Sequence, residues 1–383
     1  MAGAERTRLD FAAMTATAPR RAVTALALAG SLALGALAVL PGCDATPSHQ
    51  PPSRSESGTL LVLNKSDDSL SLIDAMTGDR LLDLPTGAGP HEVAVSPDGA
   101  LAVVSNYGRA GLPGNTLTVV DLPGSKVAGT IDLGEHARPH GLQFLSESRT
   151  LVVTTEASGS VLLVDVSARR VIRAVPTRQQ ISHMLVLDPL DRRAYVANIG
   201  SASVSVVDLD KAYVVAQLPA GQGAEGIDLA PDGRELWVTN RADDSITVID
   251  TRQLTAAATL PCPGGPIRVK LTPDGARALV SNSGTGDIAV FDTAARREIG
   301  RIPLAFSELE ATDSRLFGDG ARGEAPIPVG LLVSPDGSRA WVASTNADLI
   351  TVLDLSALEV AGRIKAGREP DGLGWTPVTP LGM

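Results

Sequence analysis

Aromatic residues, charged residues and cysteine are all scarce in this chain. Of its 383 residues, 3% are aromatic, 20% are charged and two are cysteines, whereas glycine occurs 38 times and proline 26 times. Frequent glycine and proline are typical of many short elements joined by tight turns, and they argue against a few long helices. The composition therefore favours an all-β protein.

Basic residues are too few and too scattered for a nucleic-acid partner. Lys and Arg total 33 against 43 Asp and Glu, which gives a formal net charge of −10, and no cluster of basic residues occurs. Nucleic-acid affinity rests on such clusters, so this class of ligand is excluded. A glycine-rich phosphate loop, a GxSxG elbow and an HExxH helix are also missing, so none of these motifs identifies a catalytic site.

The N-terminal segment has the features of a secretion signal. Arg20 and Arg21 precede an apolar run over residues 22–40, which ends in Leu-Pro-Gly-Cys at Cys43. Nineteen apolar residues are also long enough for an uncleaved anchor helix. Leu40 and Gly42 before Cys43 resemble the lipobox of bacterial lipoproteins, in which the cysteine is diacylated and becomes the new N-terminus, although Pro41 departs from the usual small residues.

The lipobox resemblance implies three segments and a location. Residues 1–42 form the signal peptide, Cys43 is the lipidation site, and the Pro/Ser-rich stretch 43–57 is a flexible tether. Asp44 resembles a signal that keeps lipoproteins at the inner membrane of Gram-negative bacteria. We therefore expect the rest of the chain to be extracytoplasmic and membrane-anchored. Once Cys43 is lipidated, Cys262 has no disulfide partner and is interpreted as a small buried apolar residue.

Residues 58–383 contain seven repeats of one pattern. Each repeat has a strand that ends in a polar marker residue, and the markers are Asn64, Asn106, Thr155, Asn198, Asn240, Asn282 and Ser344, with spacings of 42, 49, 43, 42, 42 and 62 residues. An alternating strand that ends in aspartate follows each marker, as in SLSLID, TLTVVD and SVSVVD. We expect these strands to pack on one side, and their aspartates to bond the backbone of the next turn. PDG runs mark further turns.

Repeats of this length with four strands each predict a β-propeller. Segments such as Tyr195-Val-Ala-Asn198 and Trp237-Val-Thr-Asn240, together with the PDG turns, resemble the YVTN-repeat β-propeller family of exported prokaryotic proteins. The prediction is an all-β, seven-bladed propeller with four-stranded antiparallel blades. The chain begins with the second strand of a blade and ends with a first strand, so its last strand is expected to complete the first blade.

The propeller resemblance also places one residue of each blade at the mouth of the central channel. Counting back five residues from the Ser of SPDG or its equivalent selects His91, His140, His183, Glu225, Ile267, Val329 and Asp371. Three of the five histidines share this register in consecutive blades. One interpretation is a repeat-inherited Pro-His that bonds a neighbouring backbone. The other is a metal site of His91, His140, His183 and Glu225, with Asp371 as a weaker candidate.

Imidazoles with one carboxylate suit Zn, Cu, Fe or Ni better than Ca or Mg. An enlarged loop in the second blade and an insertion over residues 304–328 are both expected on the same face as this site, which favours it as the working face.

Three functions remain open from the sequence. The first is a monomeric, membrane-tethered module that binds a small molecule or an envelope protein on this face. The second is a metal-dependent enzyme of the lyase or lactone hydrolase type, since GPHEVAVSPDG locally resembles 6-phosphogluconolactonase-type propellers. The third is a redox protein with a non-covalent cofactor, by analogy with the haem-binding propeller of a nitrite reductase, because no CxxCH motif is present.

Overall fold

The computed structural model describes residues 57–146, 149–305 and 326–380. These residues form seven four-stranded antiparallel sheets, which confirms the predicted all-β, seven-bladed propeller. The signal peptide, Cys43 and most of the tether lie outside the described residues, as does most of the 304–328 insertion. None of the helices within the described part is long and apolar enough to cross a membrane.

All blades share one strand order, and the strands of each blade are given below from the innermost to the outermost. Blade 1 combines the last strand of the chain, β28 (Pro370–Thr376), with β1 (Thr59–Asn64), β2 (Ser69–Asp74) and β3 (Arg80–Pro85). Blade 2 is β4 (Pro90–Val95), β5 (Leu101–Arg109), β6 (Leu112–Asp121) and β7 (Lys126–Asp132). Blade 3 is β8 (Pro139–Phe144), β9 (Thr150–Thr155), β10 (Ser160–Asp165) and β11 (Arg170–Pro176). Blade 4 is β12 (Ser182–Leu187), β13 (Arg193–Asn198), β14 (Ser203–Asp208) and β15 (Tyr213–Pro219).

Blades 5 to 7 repeat this order. Blade 5 is β16 (Ala224–Leu229), β17 (Glu235–Asn240), β18 (Ser245–Asp250) and β19 (Thr255–Pro261). Blade 6 is β20 (Pro266–Leu271), β21 (Arg277–Asn282), β22 (Asp287–Asp292) and β23 (Arg297–Pro303). Blade 7 is β24 (Pro328–Val333), β25 (Arg339–Ser344), β26 (Leu349–Asp354) and β27 (Glu359–Lys365). Single-turn 3-10 helices follow three of the marker residues, at Ile199–Ser201, Arg241–Asp243 and Thr345–Ala347.

The last strand closes the ring, as the sequence predicts. β28 pairs antiparallel with β1, with Thr59 opposite Thr376 and Leu60 opposite Trp375. The Thr59 hydroxyl donates to the Val378 carbonyl at 2.8 Å, and the Thr376 hydroxyl donates to the Gly99 carbonyl of blade 2 at 2.9 Å. Closure therefore gives β1 a partner on both sides and leaves no open edge inside the first blade.

The sequence predicts that the strand ending in aspartate packs on one side only. In the structure this strand is buried on both faces. In β2 the polar Ser71 is fully buried, as are the equivalent Ser205 and, nearly so, Thr247. Each blade packs between two neighbours, so both faces of its middle strands are covered. The buried hydroxyl is accommodated by the marker residue of the same blade, since the Asn64 amide donates to Ser71 Oγ at 2.8 Å. The terminal aspartates do bond the next turn, as predicted: Asp250 Oδ1 accepts two backbone N–H groups.

Asn240 shows what the marker contributes to stability. Its Oδ1 accepts the Gly221 N–H at 2.9 Å, and its amide donates to Ser245 at 3.0 Å and to Thr247 at 2.9 Å, all in the interior. We expect Asn240→Ala to lower the free energy of unfolding by about 2–3 kcal/mol, because buried partners are left unsatisfied. Chemical denaturation measures the change. Asn115→Ala is the control, since its hydrogen bonds are exposed, and its cost is expected to stay below about 1 kcal/mol. Equal losses in both variants would contradict this role.

Candidate functional site at the channel mouth

A bulge at the same place in every innermost strand directs side chains into the channel. The register shifts between Pro90 and Val93 in β4, between Ala224 and Ile227 in β16, and at the corresponding positions of the other five inner strands. A bulge places two residues opposite one and turns a side chain out of the regular alternation. The residues predicted at the channel mouth are the second residues of these strands, and they occupy this bulge.

The three predicted histidines lie together. The rings of His91 and His140 are 4.3 Å apart between centroids, and those of His140 and His183 are 3.7 Å apart. Tyr107, from the enlarged β5–β6 hairpin, packs edge-on against His91 at 5.0 Å. Three consecutive blades thus bring three imidazoles into one stack.

His140, in the middle of the stack, is the least satisfied of the three. Its side chain is buried, with the residue 1% exposed, and neither ring nitrogen has a hydrogen-bond partner among the described residues. Burial lowers the pKa of His140 well below its usual value, and the neighbouring His183 and His91 lower it further. His140 is therefore a neutral imidazole with a free lone pair.

His91 lies between a cation and a carboxylate. Its Nε2 is 3.2 Å from Lys65 Nζ, and its Nδ1 is 3.2 Å from Asp371 Oδ2. Burial, followed by the charge of Lys65, lowers the pKa of His91 to about 3. Burial raises the pKa of Asp371. Asp371, on β28 of blade 1, thus lies beside His91, on β4 of blade 2.

His183 is held by a carboxylate. Its Nδ1 lies 2.5 Å from Glu156 Oε1, and the Tyr107 hydroxyl donates to the other oxygen of Glu156. Burial acts to raise the pKa of Glu156, but the hydrogen bonds from His183 and Tyr107 lower it overall. Burial and the bond to Glu156 raise the pKa of Tyr107 to about 12. The guanidinium of Arg138 lies over the Tyr107 ring, 4.7 Å from its centroid.

A buried arginine connects blade 6 with blade 2 and lies beside His183. Arg268 of blade 6 donates from Nη2 to Glu92 Oε1 of blade 2 at 2.8 Å, and its Nη1 lies 3.5 Å from His183 Nε2 and 3.7 Å from Glu225 Oε1. Burial acts to lower the pKa of Arg268, but Glu92 and Glu225 raise it overall. Its charge is therefore balanced within the channel.

Glu225, the fourth predicted ligand, lies beside the stack but faces cations. Its Oε1 is 3.7 Å from His183 Nε2, and its Oε2 is 3.4 Å from Arg241 Nη1. It belongs to neither of the compact donor groups formed by the described residues. Those groups are His91, Glu92 and His140, and His140, Glu156 and His183, each with its ligand atoms within 4.8 Å of one another.

Four site residues escaped the sequence reasoning although they share a simple register. Lys65, Tyr107, Glu156 and Arg241 each follow a marker residue by one position, so counting one residue past the marker would have found them. Glu92 and Arg268 carry no such signal. They are the third residues of β4 and β20, a position that is glycine in four of the seven inner strands.

Other ionisable residues, among them His136, Cys262 and Lys270, belong to neither donor group formed by the described residues. His136 is partly exposed, with its Nδ1 3.4 Å from Ser158 Oγ. Cys262 is free and fully buried in the core, as expected for an apolar filler, and burial raises its pKa to about 12. Lys270 Nζ lies 3.6 Å from Asp228 Oδ1, and the two residues occupy equivalent places in the adjacent inner strands β20 and β16.

Comparison with known proteins supports the fold, and the family match includes only some of the residues of the candidate site. Residues 191–307 match the family model of the cytochrome D1 heme domain. This segment is less than half of the chain, and it contains Glu225 and Arg268 but none of the three stacked histidines. No curated protein matches the chain.

Several solved structures share the architecture at low sequence identity. Hydrazine synthase of Kuenenia stuttgartiensis superposes with a TM-score of 0.65 at 18% identity, covering 82% of this chain and 99% of that one. A functionally unknown protein of Desulfotomaculum acetoxidans gives a TM-score of 0.68 at 14% identity, covering 84% and 99%. The dihydro-heme d1 dehydrogenase NirN in complex with DHE gives 0.60 at 16% identity, covering 86% and 77%. At these identities the likeness concerns the fold alone.

Proposed function

We propose that this protein is an exported, lipid-anchored propeller of the YVTN-repeat type that binds transition-metal ions at its channel mouth. The observation that carries the proposal is the environment of His140: this neutral, buried imidazole lies between two further histidines, and neither of its ring nitrogens has a hydrogen-bond partner among the described residues. The metal provides an open coordination position for a small molecule or an envelope protein. A metal-dependent lyase or lactone hydrolase is the alternative use of the same site.

The energetic argument rests on unsatisfied polar atoms. A buried donor or acceptor without a partner costs about 1–3 kcal/mol, and such groups are rare in native proteins. Coordination of a metal by His140 removes that cost and uses the lone pair that burial keeps free of a proton. The neighbouring His91 and His183 are imidazoles as well, so the donor set selects Zn, Cu, Ni or Fe over Ca and Mg.

The surrounding charges are compatible with a cation. Lys65 and Arg268 lie at the site, but each has a carboxylate near it, Asp371 for Lys65 and Glu92 for Arg268. Glu225 adds a further carboxylate beside His183. The Lys65 side chain is 36% exposed, so it is free to swing into solvent when a metal ion takes the nitrogen of His91.

Metal analysis of the full-length chain tests the proposal. The protein is stripped with a chelator, exposed to Zn, Cu, Ni, Ca and Mg in turn, and desalted before elemental analysis. We expect retention of Zn, Cu and Ni, none of Ca or Mg, and loss of retention when His91, His140 and His183 are all changed to alanine. His136→Ala is the matched control and should bind as the parent chain does. Equal retention in the triple variant, with its fold intact by circular dichroism, would refute the site.

The anchor is tested separately. Cys43 lies in the lipobox-like sequence, and Cys262 is buried, so labelling with radioactive palmitate in the producing bacterium should depend on Cys43 alone. We expect Cys43→Ser to abolish labelling, and Cys262→Ser to leave it unchanged. Labelling that persists in Cys43→Ser would point to an anchor of another kind.

A haem-type cofactor is the second candidate, favoured by the partial match to the cytochrome D1 heme domain. A haem iron takes at most two protein ligands, one from each face of the macrocycle. The channel mouth instead gathers three imidazoles and two carboxylates into overlapping groups, with the His140 and His183 rings 3.7 Å apart. This donor set fits separate ions better than a macrocycle. A strong haem absorption band after incubation with haem, lost in the triple variant, would reverse that preference.

A further inference from the structure

The two donor groups at the channel mouth have one residue in common. His91, Glu92 and His140 form the first, and His140, Glu156 and His183 form the second. His140 is shared, and it lies between the other two imidazoles in the stack. A histidine shared by two donor groups can bind an ion in one group at a time, or it can bind one ion of each group simultaneously.

The ring nitrogens of His140 differ from those of its neighbours. His91 Nε2 has Lys65 as its partner, whereas His91 Nδ1 lies 3.2 Å from Asp371 Oδ2 without a hydrogen bond among the described residues, and His183 has Glu156 at Nδ1. His140 has no hydrogen-bond partner at either nitrogen among the residues that the structure describes. Metal-binding histidines normally donate the N–H of the second nitrogen to a carboxylate, a carbonyl or a water. A single ion on His140 would therefore leave its other nitrogen buried and unpartnered.

We propose that the channel mouth holds two transition-metal ions bridged by His140. The inference rests on the proposed function and adds the number of ions and the role of the central histidine. His91 and Glu92 complete the shell of the first ion, and Glu156 and His183 complete that of the second. The bridge forms when His140 loses its remaining N–H proton to solvent, so that each nitrogen of the imidazolate binds one ion. No electron transfer is involved.

Glu92 and Glu156, the carboxylates proposed to bind the two ions, differ in their hydrogen bonds. Glu92 accepts from Arg268 at Oε1, and within the described part of the chain its second oxygen has no hydrogen bond or ion pair. Glu156 accepts from Tyr107 at Oε2 and is hydrogen-bonded to His183 Nδ1 at Oε1, so the second ion takes the place of the proton in that hydrogen bond. Arg268 remains paired with Glu225 on the far side.

The proposed bridge also determines the net charge of the channel mouth. Two dications, Lys65 and Arg268 bring six positive charges, against five negative charges from Glu92, Glu156, Glu225, Asp371 and the imidazolate. The excess positive charge favours an anionic ligand, or a metal-bound hydroxide, at the open positions of the pair. Arg241, 54% exposed at the rim, adds to this preference. The ligand class is therefore a small anion.

Copper loading of the full-length chain tests the bridge. We expect two Cu(II) per chain by elemental analysis, and an integrated electron paramagnetic resonance signal far below the copper content, because an imidazolate bridge couples the two spins antiparallel. Glu92→Gln and Glu156→Gln should each retain one ion and recover a signal equal to the copper bound. His136→Ala should match the parent chain in both readouts. Melting curves by circular dichroism establish that each variant is folded.

The outcomes separate the two proposals. One copper per chain, or two with full signal intensity, would overturn the bridge while leaving a metal site at the mouth. No retained copper in the folded parent chain would overturn both. Two coppers with a suppressed signal that survives His140→Ala would overturn the assignment of His140 as the bridge.

Discussion

The chain in which His140 is replaced by alanine is expected to bind Zn(II) on the order of 100-fold more weakly than the parent, or worse. Loss of a residue that merely orients a metal ligand already costs 10–100-fold in affinity. His140 belongs to both donor groups, so its loss affects both at once. Competition titration against a chromophoric chelator measures the affinity.

The control for this variant is His136→Ala. His136 lies four residues before His140 in the loop that leads into β8, its Nδ1 lies 3.4 Å from Ser158 Oγ, and it belongs to neither donor group formed by the described residues. Its replacement should leave the affinity within twofold of the parent. If both variants weaken binding equally, or neither does, the metal is held elsewhere and the account of the channel mouth is wrong.

A chain that ends at Ala366 is expected to lose its cooperative fold. The deletion removes β28, which is the inner strand of blade 1 and carries the buried Asp371, Gly372 and Thr376. Without it β1 has an unpaired backbone edge, and the core cluster that contains Leu60 loses Leu373 and Trp375. The loss is comparable to the whole stability of a domain, about 5–15 kcal/mol.

Thermal melting by circular dichroism and limited proteolysis measure this effect. A chain that ends at Pro380 keeps Val378, whose carbonyl accepts from Thr59, and should melt as the parent does. Addition of a synthetic peptide of residues 367–383 should restore protection to the shorter chain. A chain ending at Ala366 that melts cooperatively near the parent temperature would show that the ring does not depend on closure by its last strand.

Much of the fold is readable from the sequence because each blade repeats the same local chemistry. The marker residue, exemplified by Asn240, must bond two hydroxyls and a backbone N–H, and the aspartate exemplified by Asp250 must bond the next turn. The marker residue and the aspartate each occur once per blade, so the number of blades can be counted from the sequence. Burial of Ser71 was not predictable, since an alternating strand reads the same whether one face or both are covered.

The site was only partly predictable for a related reason. The proximity of His91, His140 and His183 is predictable because they share one register, and each lies at the bulge of its inner strand. The sequence predicts Glu225 but does not select Glu156, because a shared register does not show which carboxylate meets which imidazole. That depends on the loop conformation after each marker, which places Glu156 against His183 and turns Glu225 toward Arg241.

Zinc X-ray absorption on the loaded full-length chain tests most directly whether the stacked imidazoles share metal ions at the channel mouth. The account predicts nitrogen and oxygen neighbours at about 2.0–2.2 Å, with the outer-shell scattering of at least two imidazoles per zinc. That imidazole scattering should disappear when His91, His140 and His183 are all alanine. A shell of oxygen atoms without imidazole scattering, or a spectrum unchanged in the triple variant, would contradict it.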